Sequence, residues 1–323
     1  MTDEMDPITT NNNHQNRRLG RGINMGNMYE APRGGWNSEE LELKPEYFRI
    51  IREGGFDSVR IPVRWSDYAA REAPYAIEPE FFARVDRSIQ AALDAGLAVV
   101  LNAHHYEEIF TDPVGHEPRL LALWEQIASH YLGYPPELMF EVLNEPHGEL
   151  TNLLWNPLLA RGVQVIRQID PRRTILVGPG VWNSIGGLDG FEPPSTYNLI
   201  LSVHYYLPMQ FTHQGASWAE GSEAWMGTQW TGTEEEKLAI INDFNLADTF
   251  ASTHNMPVNL GEFGAYERAD MESRARWTEF IVLQCEARGW SFHYWEFCAG
   301  FGAYDPEKGA WREPILHAIN PTS

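Results

Sequence analysis

The 323-residue chain sets 24 basic residues against 45 acidic ones, a formal charge of −21, and 43% of it is hydrophobic. A surface that negative repels nucleic acid phosphates and anionic lipid headgroups, so neither nucleic acid nor membrane is an expected partner and the substrate should be neutral or cationic. The two cysteines, Cys285 and Cys298, are too few for a disulfide scaffold and lack metal-ligand spacing, so they read as buried thiols, and no segment is long and apolar enough to span a bilayer.

Residues 1–18 are polar, with Asn11, Asn12, Asn13 and a late Arg17-Arg18 pair, and hold no apolar run of the roughly 7–15 residues a secretory signal needs. They read as a disordered or artificially appended tail, and the chain as cytoplasmic or as the processed form of a secreted protein. After the tail, short β-branched apolar runs alternate with longer stretches of helical period, the pattern of βα units around a parallel sheet. Strands are expected at Gly20–Met25, Ser58–Val63, Ala98–Ala103, Leu138–Leu143, Thr174–Val177, Ile200–His204, Val258–Gly261 and Ser291–Trp295. Helices are expected at Glu46–Glu53, Phe81–Ala95, Glu117–Tyr131, Trp155–Ile169, Glu234–His254, Met271–Arg288 and Glu313–Ile319, with Gly180–Tyr197 the weakest unit. Alternation without a linker predicts an α/β fold, a (β/α)8 TIM barrel forming a single catalytic domain over residues 19–323 and acting as a monomer.

In such a barrel, reactive residues sit where strands run out into the loops of the C-terminal face. Polar and aromatic residues gather at these exits: Asn24 and Asn27 after the first strand, Arg60 in the second and His104-His105-Tyr106 after the third. Asn144-Glu145-Pro146-His147 follows the fourth, His204-Tyr205-Tyr206 the sixth, Glu262-Phe263 the seventh and Trp295-Glu296 the eighth. One such residue would be unremarkable; agreement among seven exits points to a site.

Glu145 and Glu262 each follow an apolar strand directly, where an unpaired carboxylate costs several kcal/mol. Glycoside hydrolysis by a retaining enzyme needs one protonated and one ionised carboxyl group about 5–5.5 Å apart, and the fourth and seventh exits face each other across a narrow barrel mouth. Arg60 and the hydroxyl of Tyr206 are expected to hold Glu262 ionised and low in pKa. Glu145, beside an already charged carboxylate and near His204, is expected to be pushed upward. Asn144 is placed to bond a sugar hydroxyl, and Trp295 to offer a flat apolar face to a pyranose ring. The long connection Leu207–Thr233 carries Trp218, Trp225 and Trp230, and loops of that length are usually functional. Trp36 and Trp182 are weaker candidates for distal sugar contacts.

Together, Leu143-Asn144-Glu145-Pro146, Gly261-Glu262-Phe263-Gly264, Arg60 in a Val-Arg-Ile-Pro strand and the His104-His105 pair resemble glycoside hydrolase family 5, the cellulase group of retaining barrels. The likeness runs from about Leu19 to Ile319. It is greatest to endo-β-1,4-glucanases of heat-loving bacteria, some of which also cut β-1,4-mannan. The resemblance implies that Glu145 is the acid/base and Glu262 the nucleophile. It further implies that Asn144 holds the 2-hydroxyl, that Arg60, His104, His204 and Tyr206 form a supporting network, and that Trp295 is the sugar platform. Asn27, Glu30, His105, His213 and Trp218 would line the cleft. The implied substrate is a β-1,4-linked polysaccharide or oligosaccharide, either glucan (cellulose or mixed-linkage) or mannan and glucomannan. Mannanase, xylanase or xyloglucanase activity is the alternative preference, because one or two contacts decide it.

Two other classes compete. His104, His105, Glu145, His204 and Glu262 could in principle ligate a divalent ion, but they lack the usual spacing, and Arg60 among them opposes a cation. A binding protein that has lost catalysis would not need both carboxylates together with Asn144 and Arg60. Neither a metal nor another cofactor is expected.

Overall fold

The structure, a computed structural model, describes residues 7–36 and 43–320. Eight short, fully buried or nearly buried runs become strands: β1 Arg21–Asn24, β2 Ser58–Ile61, β3 Ala98–Asn102, β4 Leu138–Glu141, β5 Ile175–Val177, β6 Leu199–His204, β7 Val258–Phe263 and β8 Ser291–Tyr294. They pair in sequence order and close into a barrel. The closing contact is parallel, with Arg21 opposite Phe292 and Ile23 opposite Tyr294. The eight-stranded (β/α)8 barrel expected from the alternation is the fold, and each expected strand lies within two residues of its place.

Register carries the polar residues to one level. Asn24 stands opposite Arg60, Asn102 opposite Glu141, and His204 opposite Glu262. The last of these pairings follows a slip in the ladder between Val203 and His204, and a second slip separates Leu260 from Phe263. Such irregularities re-aim side chains and are common beside functional sites. Below that level the barrel is filled by Leu19, Ala98, Val100, Met139, Leu176 and Ile200.

Helices 45–53, 79–94, 113–130, 152–169, 234–254, 271–288 and 313–319 pack around the outside. Their ends carry explicit stop and start devices. Thr233 and Glu236 form a reciprocal capping box, Asp270 accepts from the Ser273 N–H at 2.9 Å, and Gly289 closes helix 271–288 in the left-handed conformation. The Gly180–Tyr197 stretch makes only a 3-10 turn at Ile185–Leu188. Among the described residues no helix is long and apolar enough to cross a membrane.

The expected N-terminal tail is corrected by the structure: residues 7–19 form a helix that closes the bottom of the barrel. It is anchored through polar atoms. Asn16 Oδ1 accepts from Ser291 Oγ at 2.7 Å, and the Leu19 carbonyl accepts from Ser58 Oγ at 2.6 Å. Asn12, Gln15 and Asn16 are buried there, so the helix has no apolar stripe for periodicity to detect. Residues 1–6 lie outside the described residues.

Candidate active site

At the centre of the barrel mouth, the Arg60 guanidinium is completely buried and spends its donors on four partners. Nε and Nη2 hold both oxygens of Glu141 at 2.6 and 2.9 Å, a fork-to-fork ion pair. Nη2 also donates to Asn144 Oδ1 at 2.6 Å, and Nη1 donates to Asn24 Oδ1 at 2.8 Å and to Glu262 Oε1 at 2.7 Å. Asn24 is fixed in turn by donating to the carbonyls of Gly261 and His293 at 3.0 and 3.1 Å. One cation therefore fastens the exits of β1, β2, β4 and β7.

Glu262 receives a second bond on its other oxygen, from the Tyr206 hydroxyl at 3.0 Å. Glu145, four residues past Glu141 at the end of β4 and in the left-handed backbone region at φ 49°, faces it. Glu145 Oε1 lies 2.7 Å from His204 Nδ1, and the same nitrogen is 3.7 Å from Glu262 Oε2. Carboxylate oxygens of Glu145 and Glu262 and a ring nitrogen of His204 all lie within 4.8 Å of one another. Three such atoms could surround a cation, but Arg60 already bonds Glu262 and opposes added positive charge. The donor set suits a pair of acids sharing a proton better than a metal.

Burial pushes the Glu145 carboxyl from 4.5 up to about 7, against the pull of Arg60 and His147. The upward shift was expected, but its main cause is lost solvation, with a neighbouring carboxylate secondary. For Glu262 the expectation of a lowered pKa is corrected. Burial raises this carboxyl as well, while His204, Arg60 and the Tyr206 hydroxyl all pull it back down. The donors Arg60 and Tyr206 on Glu262 favour its ionised form. His204 is driven toward the neutral imidazole by burial.

The other expected residues take distinct places. His104 is buried, bonded through Nδ1 to Asn102 Nδ2 at 3.0 Å and stacked on Trp295 with ring centres 5.9 Å apart at 10°. Trp295 itself is half-buried. His105 packs edge-on between His104 and the exposed Trp36, and Asn27 lies half-buried at the β1 exit. Trp218 is 61% exposed and rests edge-on against Tyr266, ring centres 5.0 Å apart. His213 is largely buried behind Tyr206, with Nδ1 2.9 Å from the Thr212 hydroxyl.

Glu30 lies beneath the surface of the β1 exit loop. It is fully buried, and its carboxylate accepts from the Asn27 and Met28 backbone N–H groups, so it shapes the β1 exit loop. Trp230 is also core, buried against Phe280.

Sequence reasoning missed Glu141 and Asn24 as members of the Arg60 network, although both lay in view. Trp182, named as a weaker candidate for a distal sugar contact, is 53% exposed and stacks on His147 at 3.5 Å and 10°, a pairing the sequence reading did not foresee. His147 Nδ1 sits 2.6 Å from the Glu145 carbonyl, which ties this platform to the acid's own backbone. The signal was the Pro146-His147 pair directly after Glu145.

Comparison with known proteins agrees with this geometry. Residues 17–300 match the family model for cellulase (glycosyl hydrolase family 5). Endoglucanase H of Acetivibrio thermocellus is 34% identical over 281 residues, covering 87% of this chain. Endoglucanase 3 of Fibrobacter succinogenes is 26% identical over 90% of it. The chain spans 30% and 51% of the lengths of these two relatives. Crystal structures of Thermotoga maritima Cel5A, in complexes with mannotriose and with cellobiose, are 48% identical. They superpose with a TM-score of 0.93 over 95% of this chain and 99% of theirs. The chain belongs to the cellulases of glycosyl hydrolase family 5.

Proposed function

We propose that this chain is a retaining endo-β-1,4-glucanase, in which Glu262 is the nucleophile and Glu145 the acid/base. The observation that carries the reading is the asymmetry of two carboxylates whose oxygens lie within 4.8 Å, Glu262 buried and Glu145 half-buried: Arg60 and Tyr206 both donate to Glu262, while Glu145 sits against a neutral imidazole with its pKa raised to about 7. In the first step Glu262 attacks the anomeric carbon and the glycosidic oxygen leaves with the Glu145 proton. In the second, Glu145 takes a proton from water, which displaces Glu262 and restores the starting charges. Asn144, held by Arg60, is positioned to bond the 2-hydroxyl, and Trp295 to support the ring.

The exposed rings of Trp36, Trp182 and Trp218 spread around the acid pair, which supports an open cleft that grips several sugars of an internal segment. The substrate is a β-1,4-glucan, cellulose or mixed-linkage, taken up by a monomer that requires no cofactor. A second reading, with mannan or glucomannan cut as well, is favoured by the 48% identity to a protein crystallised with both mannotriose and cellobiose.

The experiment is to incubate the enzyme with carboxymethyl cellulose, barley glucan and glucomannan side by side and to follow the first-formed anomer by NMR. Expected are a rapid fall in viscosity on the glucans and initial β-anomer. Initial α-anomer would refute the double displacement. Hydrolysis of glucomannan alone would replace glucanase with mannanase.

A further inference from the structure

His204 stands between the two acids, and burial keeps its ring neutral, so it has one N–H to place. Nδ1 faces Glu145. Nε2 is buried without a hydrogen-bond partner, and so is the hydroxyl of Ser202, two residues earlier on β6. Ser202 is 0% exposed. The two orphaned atoms converge over the bare α-carbon of Gly261, where a β-carbon would stand 2.6 Å from Ser202 Oγ and 3.0 Å from His204 Nε2. Atoms that close to one point are no farther apart than a single bridging water spans, and leaving both unsatisfied in the core is costly.

We infer that Ser202 is a positioning residue for the acid: its hydroxyl donates to His204 Nε2 through one buried water, and so keeps the imidazole proton on Nδ1. The inference rests on reading Glu145 as the acid/base. An ionised Glu145 needs a donor opposite Oε1. A protonated Glu145 needs its single O–H free for the leaving oxygen, with Oε1 again accepting. The Nδ1–H tautomer serves both states, but it leaves Nε2 a bare lone pair that requires a donor. Without the Ser202 hydroxyl the ring is free to carry its proton on Nε2. Bare Nδ1 then accepts the Glu145 proton in a hydrogen bond and holds it away from the substrate. The titratable and charged groups around the ring are Glu145 and Glu262 in contact, with Arg60, Glu141 and His104 beyond. A change at Ser202 leaves all of them in place.

The test compares the wild-type chain with Ser202→Ala and Ser202→Thr. Nitrogen NMR of the His204 ring should show Nδ1 protonated and Nε2 bare in the wild type, and loss of that preference in the alanine variant. For phenyl cellobioside, whose leaving group needs a proton, kcat/KM of Ser202→Ala should fall about tenfold or more, with the alkaline limb moved to higher pH. For 2,4-dinitrophenyl cellobioside, which departs unprotonated, kcat/KM should not change. Ser202→Thr keeps the hydroxyl and should restore the phenyl substrate. A wild-type ring protonated on Nε2, or equal losses on both substrates in Ser202→Ala, overturns the role of Ser202. Glu145→Ala is the control that separates the two ideas. If it too loses both substrates equally, the assignment of the acid is what has failed.

Discussion

Arg60 and Glu141 form a fully buried, two-bond ion pair at 2.6 and 2.9 Å, and the same guanidinium holds Glu262 at 2.7 Å. Two carboxylates thus depend on one cation. Removing it by Arg60→Met strands both, and breaking a buried pair from one side typically costs about 3–5 kcal/mol. We expect urea unfolding to show a loss of that order, and turnover at the folded state's plateau to fall at least a hundredfold as Glu262 loses its donor. A variant with wild-type stability would mean that solvent replaces the guanidinium, and that the network is less closed than its geometry indicates.

The reach of sequence reasoning followed the kind of signal each element carries. Strands and outer helices were legible because apolar periodicity records burial directly. Glu145 and Glu262 were legible because a carboxylate just past an apolar strand contradicts the pattern around it. Glu141 breaks the same pattern inside β4, but its meaning depends on which residue of β2 lies across β3, a register that no local window contains. The helix over residues 7–19 was hidden because the side chains it buries include Asn12, Gln15 and Asn16, of which Asn16 bonds Ser291 on the barrel floor. The burial of Glu30 and its bonds to the Asn27 and Met28 backbone were not legible either, because they depend on the path of the β1 exit loop.

Activity should follow the protonation of Glu145. The acid must carry its proton for the first step, and burial places its pKa at about 7, so kcat/KM is expected to fall as pH rises through that value. On the acid side the profile falls where Glu262 becomes protonated, above the ordinary 4.5 because burial raises this group too. Initial rates on an aryl cellobioside from pH 4 to 9 test this. A profile that stays flat across pH 7 would remove Glu145 as the titrating acid.

Stability should titrate through other carboxyls as well. Glu30 and Glu296 are fully buried and both raised to about 7, Glu296 despite accepting backbone N–H groups of Cys298, Ala299 and Phe301 at 2.8–3.1 Å. A group whose folded pKa exceeds its unfolded value binds its proton more tightly when folded. Its contribution is therefore complete below pH 4.5 and disappears as pH rises through about 7. Asp270 and Glu236, held low by bonds to backbone N–H groups, act in the opposite sense and at lower pH. We therefore expect a higher Tm at pH 5 than at pH 8, and Glu296→Gln to flatten the difference. Equal Tm values in the wild type at the two pH values would show that these carboxyls stay charged.

The exposed platforms should matter for chain length and little for chemistry. Trp218, 61% exposed, touches Tyr266 and Phe301 at the rim and makes no bond to either acid. Trp182 lies over His147, whose Nδ1 is 2.6 Å from the Glu145 carbonyl. Loss of one stacked ring is worth about 1 kcal/mol of binding, a several-fold rise in KM, provided a sugar occupies the platform. Trp182→Ala should therefore raise KM for cellotetraose or longer chains that extend past the cleavage point, and leave kcat/KM for an aryl cellobioside unchanged. Trp218→Ala should weaken polymer hydrolysis with a shift in unfolding free energy of about 0.5 kcal/mol or less, as for other exposed side chains. If Trp182→Ala impaired the aryl cellobioside as much as cellotetraose, its stack on His147 would be aligning Glu145 itself, and the ring would belong with the positioning residues instead of the sugar platforms.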